Sequence, residues 1–253
     1  MYTRAIVRTP CKAIINGLTT ANLGQPDYET ALNQHSQYVD VLKKVGLEVI
    51  VLDPDDNFPD STFVEDTAIL TPPCAIITSP GAPSRYNEIV EIRQVLKKYF
   101  SHIESVEAPG TIDGGDVLRT GSHCYIGIST RTNLAGARQV ISILNQYGMS
   151  GSTVALTDVL HLKSGVSYLD DNNLVVSGEF IDSPEFKEFN LITVAEDESY
   201  AANCIWINGL VLIAKGYSKT KRAIENAGYR TLEMDVTEFR KIDGGLSCLS
   251  LRF

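Results

Sequence analysis

The sequence has 253 residues, 43% of them hydrophobic, and its 22 basic and 31 acidic side chains give a formal net charge of −9. No apolar run approaches the roughly 20 residues that span a bilayer, and an acidic chain without a basic stripe is a poor partner for nucleic acid or an anionic membrane. We therefore expect a soluble α/β protein with one domain over residues 1–253, whose charge suits a cationic small molecule.

The cysteines predict reduced thiols rather than a disulfide framework or a zinc site. They are odd in number, widely scattered, and contain no C-x-x-C pair. The first residues, MYTRAIVRTP, lack the apolar stretch of a secretory signal, so we expect a cytoplasmic location. Neither a metal nor another cofactor is expected. The cysteines are Cys11, Cys74, Cys124, Cys204 and Cys248.

Strand and helix patterns alternate along the chain without a linker or a low-complexity segment. Residues 4–8 predict a strand, and the apolar positions of residues 28–45 predict a helix that stops at Gly46. Further helices are predicted at about 86–100, 132–147, 184–189 and 218–227. Further strands are predicted at 47–53, 102–108, 152–158, 191–197 and 229–235.

A hairpin precedes each of the later helices. The segment 67–79 must turn at its two adjacent prolines, because neither can donate to a strand ladder. The segment 204–214 turns at an Asn-Gly pair, the strongest short hairpin signal. The other two hairpins are predicted at 116–129 and around Asp170-Asp171-Asn172.

The recurring order of hairpin, helix and strand predicts five ββαβ units arranged in a ring. One such unit cannot bury its sheet face alone, whereas five in a ring bury one another. The last unit has only the strand after Cys248, and the strand at residues 4–8 is available to complete it. A polar residue recurs in the loop after the strand that follows each helix, at intervals of 42 to 48 residues. These residues are Asp66, Asp113, His161, Asn203 and Cys248.

These equivalent loops are predicted to converge on one central site. Cys248 follows a double-glycine turn and is the candidate nucleophile, but a thiol with a pKa of about 8.5 needs a nearby cation or base. His161 alternates with apolar Leu160 and Leu162, which in an extended segment point the other way. The alternatives are that Cys248 packs as a small hydrophobe and that His161 is structural.

Paired carboxylates and two arginines indicate what such a site would bind. Asp66 and Asp113 need a cation, since close carboxylates raise each other's pKa. A guanidinium matches carboxylates bidentately, and its carbon is an electrophile for a thiolate. Arg85 and Arg131 both follow hairpins and are placed to clamp an α-carboxylate; solvated surface arginines are the alternative.

Eight short motifs, met in order over nearly the whole chain, resemble the dimethylarginine dimethylaminohydrolases, guanidine-modifying enzymes of the pentein group. The resemblance is closest to the compact bacterial members. It implies a five-bladed α/β propeller and hydrolysis of Nω-methylated arginines to citrulline and dimethylamine or methylamine. The motifs are LGQPDY, FPDSTFVED, PGAPSR, DGGD, RTN, LHLK, AANCIW and KIDGGLSC.

The resemblance also implies a role for each site residue. Cys248 would attack the guanidinium carbon and form a covalent thiouronium intermediate, while His161 would protonate the departing amine and then activate water. Asp66 and Asp113 would hold the guanidinium nitrogens. Arg85 and Arg131 would bind the α-carboxylate. Asp60 and the backbones of Leu18 and Ile242 would bind the α-amino group. Glu65 and Asp116 would support these groups.

Two stretches refine the resemblance. Some bacterial members carry Glu where this chain has Asp113, which is one methylene shorter, and Asp116 could share its contact. Residues 16–26 resemble the family's mobile flap, in which Gly17 and Gly24 would permit movement. The resemblance does not say whether the protein forms a homodimer, or whether it prefers a mono- or a dimethylated substrate.

Two other functions fit the same residues. An arginine- or agmatine-type deiminase uses the same Cys, His and paired acids, although such enzymes are generally larger. A non-catalytic protein that binds a cationic amino acid is the second. The matching loop positions of Cys248 and His161 disfavour it.

Overall fold

Short strands make five separate three-stranded sheets in the computed structural model, which describes residues 1–253. The strands are β1 (Arg4–Arg8), β2 (Glu48–Leu52), β3 (Ala68–Leu70), β4 (Ala75–Ile77), β5 (Ile103–Ser105), β6 (Val117–Thr120), β7 (His123–Ile128), β8 (Ser150–Ala155), β9 (Val166–Tyr168), β10 (Asn173–Val176), β11 (Asn190–Thr193), β12 (Ile205–Ile207), β13 (Leu210–Ala214), β14 (Arg230–Met234) and β15 (Leu251–Arg252).

The first and third helices are the longest, and the others have nine residues or fewer. The helices are α1 (Tyr28–Lys44), α2 (Ile89–Leu96), α3 (Leu134–Gln146), α4 (Leu162–Gly165), α5 (Ser218–Asn226) and α6 (Thr237–Arg240). Asp27 caps α1 by accepting the N–H of Thr30 at 2.8 Å, and Gly46, with φ of 93°, turns the chain after it. None of the helices is long and apolar enough to cross a membrane.

Each sheet repeats one plan, in which an antiparallel hairpin is extended by a parallel strand. Four sheets are built from consecutive strands: β3-β4-β5, β6-β7-β8, β9-β10-β11 and β12-β13-β14. The fifth has the order β15-β1-β2, with Ile6 opposite both Leu251 and Ile50. The N-terminal strand therefore completes the last unit, as predicted.

Several predicted elements are shorter or differently wound in the structure. The predicted helix at 86–100 begins as a 3₁₀ segment, Pro83–Glu88, and continues as α2. The predicted helix at 184–189 is a single 3₁₀ turn, Pro184–Phe186. The predicted strand at 102–108 pairs over three residues only, because its partner β4 offers three. For this strand, pairing with its neighbour rather than the apolar run sets the bounds.

The hydrophobic core lies between neighbouring units. One cluster of 19 buried residues joins α1, through Tyr38 and Leu42, to Val7 of β1 and Leu212 of β13. Another joins β7 and α3 to Ile76 of the preceding sheet. Each sheet thus buries its apolar face against a helix and the next unit, which is why a single unit would not fold alone.

A central channel runs along the first strand of every sheet. It is a cavity of about 670 Å³, lined by residues of β3, β6, β9, β12 and β15. The segment that precedes each of these strands is a short helical turn, here called an inner loop. The inner loops are Val64–Thr67, Gly114–Asp116, α4, Glu196–Ala202 and Ser247–Leu249.

Candidate active site

The inner loops contact one another in sequence around the channel. The first touches the second and the fifth, and the third touches the second and the fourth. The polar residues selected by the spacing of the repeats lie in these loops or directly beside them: Asp66, Asp113, His161, Asn203 and Cys248. The five predicted loops therefore lie side by side, while a shared catalytic site that includes Cys248 stays a prediction.

Asp66, Asp113 and His161 form one compact cluster. One polar atom from each lies within 4.8 Å of those of the other two, and His161 Nε2 is 3.0 Å from Asp113 Oδ2. Gly115 allows this approach: a Cβ there would lie 2.8 Å from Asp66 Oδ1 and 3.0 Å from the imidazole of His161. Both carboxylates are buried, and the side chain of His161 is 12% exposed.

The cluster holds His161 as an imidazolium at neutral pH. Burial lowers its pKa, but the charge of Asp66 and the hydrogen bond to Asp113 outweigh burial and raise the pKa from 6.5 to about 9. Burial also favours neutral Asp66, yet His161 and Arg85 together lower the pKa of that carboxyl to about 2. An acid and its counter-charges are therefore already in place.

By distance alone, the same three side chains could reach one metal ion. Their chemistry favours a proton instead. A histidine ligand must be neutral, whereas His161 has a pKa of about 9. Asp66 Oδ2 is occupied by Arg85 Nη1 at 2.6 Å. A cation that donates hydrogen bonds suits these carboxylates better.

Cys248 lies half-buried on the fifth inner loop, and its resting form is the neutral thiol. The N–H of Gly245 donates to Sγ at 3.4 Å, which favours the thiolate. Burial and the charges of Glu65 and Asp66 oppose it more strongly and raise the pKa of Cys248 to about 12. A positive charge arriving at the site is what would favour ionisation.

Asp113 reaches His161 despite its short side chain. Its Oδ2 lies against the imidazole, its Oδ1 accepts the N–H of Gly81 at 2.8 Å, and its own N–H is bound by Thr132. Asp116 is placed differently. Its oxygens accept from the N–H of Leu162 and the hydroxyl of Ser129, so it supports the loop of His161.

The two predicted clamp arginines differ in their surroundings. Arg85 is buried and donates to Asp66, to both oxygens of Glu88 and to the carbonyl of Phe63, which leaves one Nη1 hydrogen free. Arg131 is half-buried, and its guanidinium makes no hydrogen bond or ion pair. Arg131 is therefore the arginine that is open to a ligand.

The predicted flap meets the loop of Cys248 beside Asp60. The carboxylate of Asp60 accepts the N–H of Leu18 at 3.0 Å. A Cβ on Gly17 would lie 3.1 Å from both Asp60 Oδ1 and Ile242, so glycine permits this packing. Leu18 is 40% exposed and Ile242 is 3% exposed. The three predicted contacts of the α-amino group thus lie together.

Glu65 links its own loop to the loops that carry His161 and Cys248. Its carboxylate accepts from Lys163 Nζ at 2.7 Å and from the hydroxyl of Ser247 at 2.7 Å, with Arg252 3.5 Å away. Sequence reasoning assigned no role to Lys163 or Ser247. The sequence signal for them was their place in the motifs, since Lys163 lies two residues after His161 and Ser247 directly precedes Cys248.

Glu88 was also missed. It is 5% exposed and forms an ion pair with Arg85 at 2.8 Å. The signal for it was an acid three residues after the predicted clamp arginine, a spacing that brings side chains together on a helical turn.

Comparisons with known proteins agree with this geometry. The family model for N,N dimethylarginine dimethylhydrolase, eukaryotic, matches residues 20–249. The N(G),N(G)-dimethylarginine dimethylaminohydrolase of Pseudomonas aeruginosa is 50% identical over 100% of both chains, and that of Streptomyces coelicolor is 34% identical over 98% of this chain and 96% of its own. A solved structure of the P. aeruginosa protein, a cysteine-to-serine variant complexed with citrulline, matches with a TM-score of 0.99 over 100% of both chains at 50% identity. The predicted five-bladed α/β propeller is thereby confirmed, and the chain belongs to the dimethylarginine dimethylaminohydrolase family.

Proposed function

We propose that the protein hydrolyses Nω-methylated arginines, both asymmetric dimethylarginine and monomethylarginine, to citrulline and dimethylamine or methylamine. The observation that carries this proposal is the cluster of Asp66, Asp113 and His161 beside the loop of Cys248. A guanidinium fits paired carboxylates, its carbon fits a sulfur nucleophile, and its leaving amine needs an acid. No cofactor is required for these steps.

Substrate recognition would use both ends of the amino acid. Asp66 and Asp113 bind the guanidinium nitrogens, and Arg131, with the remaining hydrogen of Arg85, binds the α-carboxylate. The α-amino group lies against the carboxylate of Asp60 and the backbone carbonyls of Leu18 and Ile242. Glu65 and Asp116 hold the loops that carry these groups.

The first chemical step follows from the charges at rest. The guanidinium brings a positive charge to a thiol whose pKa is raised by burial and by Glu65 and Asp66, and thus favours loss of its proton to solvent. The thiolate of Cys248 attacks the guanidinium carbon and forms a C–S bond. His161, an imidazolium with a pKa of about 9, donates its proton to the methylated nitrogen as the C–N bond breaks.

The second step reverses the role of His161. After the amine leaves, neutral His161 takes a proton from water, and the resulting oxygen nucleophile attacks the carbon of the thiouronium intermediate. The C–S bond breaks, citrulline is released, and Cys248 returns as a thiolate that regains a proton. Asp113 keeps the imidazole oriented through both steps, at 3.0 Å.

An assay of ureido products, which are citrulline from the arginines and its decarboxylated analogue from agmatine, tests this proposal directly. Purified protein is given asymmetric dimethylarginine, monomethylarginine, free arginine and agmatine, with Cys248→Ser as the matched control. We expect citrulline from the methylated arginines and none from the variant. Faster conversion of free arginine would favour a deiminase. No product at any pH between about 5 and 9 would favour a binding protein.

Three further features belong to the same proposal. The shared cores between units support one domain over residues 1–253. Five free cysteines suit a reducing compartment such as the cytoplasm. A homodimer is a further expectation, and sedimentation at several protein concentrations distinguishes it from a monomer.

A further inference from the structure

The fourth inner loop supplies no group to the proposed reaction, yet a buried amide follows it directly. Asn203 is 7% exposed and uses all of its polar groups. Its Nδ2 donates to the carbonyl of Lys163 at 2.9 Å and to the hydroxyl of Ser247 at 3.0 Å. Its Oδ1 accepts the N–H of Ser247 at 3.0 Å. The amide thus joins the loop of His161 to the loop of Cys248.

Asn203 also packs against the other side of the turn that carries the thiol. A Cβ on Gly245 would lie 2.5 Å from Asn203 Oδ1 and 2.6 Å from its Cγ, so the backbone of Gly245 rests directly on the amide. The N–H of Gly245 is the group that donates to Cys248 Sγ, at 3.4 Å. Asn203 therefore contacts both Gly245 and Ser247, the residues that set the position of Cys248.

We propose that Asn203 is a positioning residue that holds the turn from Gly245 to Cys248 against the loop of His161, so that the N–H of Gly245 points at the sulfur. It acts through Gly245 and Ser247, without touching the substrate. The proposal rests on the proposed role of Cys248 as the nucleophile.

The hydrogen-bond pattern explains why an amide stands at this place. The site needs two donors, for Lys163 and Ser247, and one acceptor, for the N–H of Ser247, which is what an asparagine side chain offers. Aspartate lacks both donors and would add a negative charge near Glu65. Alanine would leave the buried N–H of Ser247 without an acceptor, a costly arrangement.

The position of the turn matters to both chemical steps. The sulfur must approach the guanidinium carbon along a narrow path, and a displacement of about 1 Å can lower a rate by about 100-fold. The N–H of Gly245 also favours the charged form of the thiol. Loosening the turn should therefore slow the attack of the sulfur and lower the fraction of Cys248 that is ionised. The contacts that bind the substrate should stay in place.

Two variants and one control test the proposal. Asn203→Ala removes every hydrogen bond of the amide, and Asn203→Ser keeps a hydroxyl in its place. Asn226→Ala, at the exposed end of α5, is the matched control. For each, we would measure kcat and KM for asymmetric dimethylarginine. We would also measure the rate at which iodoacetamide alkylates Cys248 without substrate, located by mass spectrometry. Circular dichroism shows whether each variant is folded.

Asn203→Ala should lower kcat by roughly 10- to 100-fold with KM close to unchanged. It should also slow alkylation of Cys248 at neutral pH by roughly tenfold, since one unit in thiol pKa changes the thiolate fraction tenfold. Asn203→Ser should lie between Asn203→Ala and the wild type. The other four cysteines are buried and should not interfere.

Unchanged kcat and alkylation in folded variants would overturn the proposal, and so would a rise in KM alone. If neither variant folds, Asn203 serves stability and the positioning role is rejected. The proposed function fails separately: wild-type protein that releases no citrulline, but whose alkylation still depends on Asn203, would refute the activity and retain the positioning of the thiol.

Discussion

His161 illustrates how a few charges set the working state of one residue. Burial alone would make it neutral, but Asp66 and Asp113 keep it protonated, with a pKa of about 9. Cys248, on the fifth inner loop, is held neutral by burial and by Glu65 and Asp66. The resting site therefore contains an acid and a thiol, and not the thiolate–imidazolium pair that many cysteine enzymes use.

The pH dependence of stability tests the charge on His161. A pKa that is higher in the folded than in the unfolded protein stabilises the fold below the unfolded pKa and ceases to do so as pH rises through the folded pKa. With 6.5 unfolded and about 9 folded, we expect the free energy of unfolding, measured with urea, to fall between pH 6.5 and about 9. The fall should be retained in His102→Gln. In His161→Gln it should be much smaller and confined to the approach to pH 9, where the raised pKa values of the buried thiols still lower stability. A flat profile in the wild type would contradict the imidazolium.

Arg131 offers a second test at the scale of one side chain. Its guanidinium is unpaired, so we expect Arg131→Gln to raise KM for dimethylarginine by roughly tenfold or more, with kcat little changed. Arg138→Gln, on the exposed face of α3, is the matched control. A methylated agmatine, which lacks the carboxylate, should be processed equally by the variant and the wild type. An unchanged KM would remove Arg131 from the carboxylate site.

At the scale of elements, the flap is tied to the segment before the loop of Cys248 by a carboxylate and a backbone carbonyl. Asp243 Oδ2 accepts from both the N–H and the hydroxyl of Thr20, at 2.6 and 3.0 Å, and Thr19 donates to the carbonyl of Lys241. Asp243 has φ of 58°, a conformation that asparagine also tolerates. Asp243→Asn should therefore weaken the flap contact without straining the turn.

Hydrogen exchange measures that contact. In Asp243→Asn we expect faster exchange of the amides of residues 18–22 and a KM several-fold higher, because an open flap no longer covers the substrate. Asp40→Asn, on the exposed side of α1, should change neither. If exchange in the flap stays at the wild-type rate, Asp243 does not hold it closed.

The elements also show how far sequence reasoning reached. The repeat spacing placed Asp66, Asp113 and His161 in equivalent loops, and the structure brings them together. The extended form expected around His161 is only partly correct: His161 itself is extended, but Leu162–Gly165 forms a helical turn. Local pattern could not predict this, because the turn is held by Asp116, which binds the N–H of Leu162.

Side-chain pairing was the least predictable part of the site. The spacing of motifs places loops side by side, but it does not say which acid an arginine will choose. The sequence predicted that Arg85 binds a substrate carboxylate, which stays a prediction, but it did not indicate that most of its hydrogen bonds would go to Glu88 and Asp66. Asn203 was found by its spacing alone, and its role became visible only through its bonds to Ser247 and Lys163.

At the scale of the whole molecule, the ring closes through its two ends. Strand β1 lies between β15 and β2, so the strands nearest the two ends of the chain share a sheet. Because neighbouring units also share their cores, we expect one cooperative unfolding transition by calorimetry, with equal calorimetric and van't Hoff enthalpies. Two separate transitions would show that the chain contains more than one domain.

The measurement that bears most directly on the proposed chemistry is the mass of Cys248 during turnover. S-methylthiocitrulline carries a leaving group that needs little help from an acid, so it should load Cys248 even in His161→Gly. Without the base that activates water, the adduct should then accumulate. We expect the thiouronium adduct on the peptide that contains Cys248, and none in Cys248→Ser. An adduct on another residue, or citrulline release by Cys248→Ser, would contradict the account.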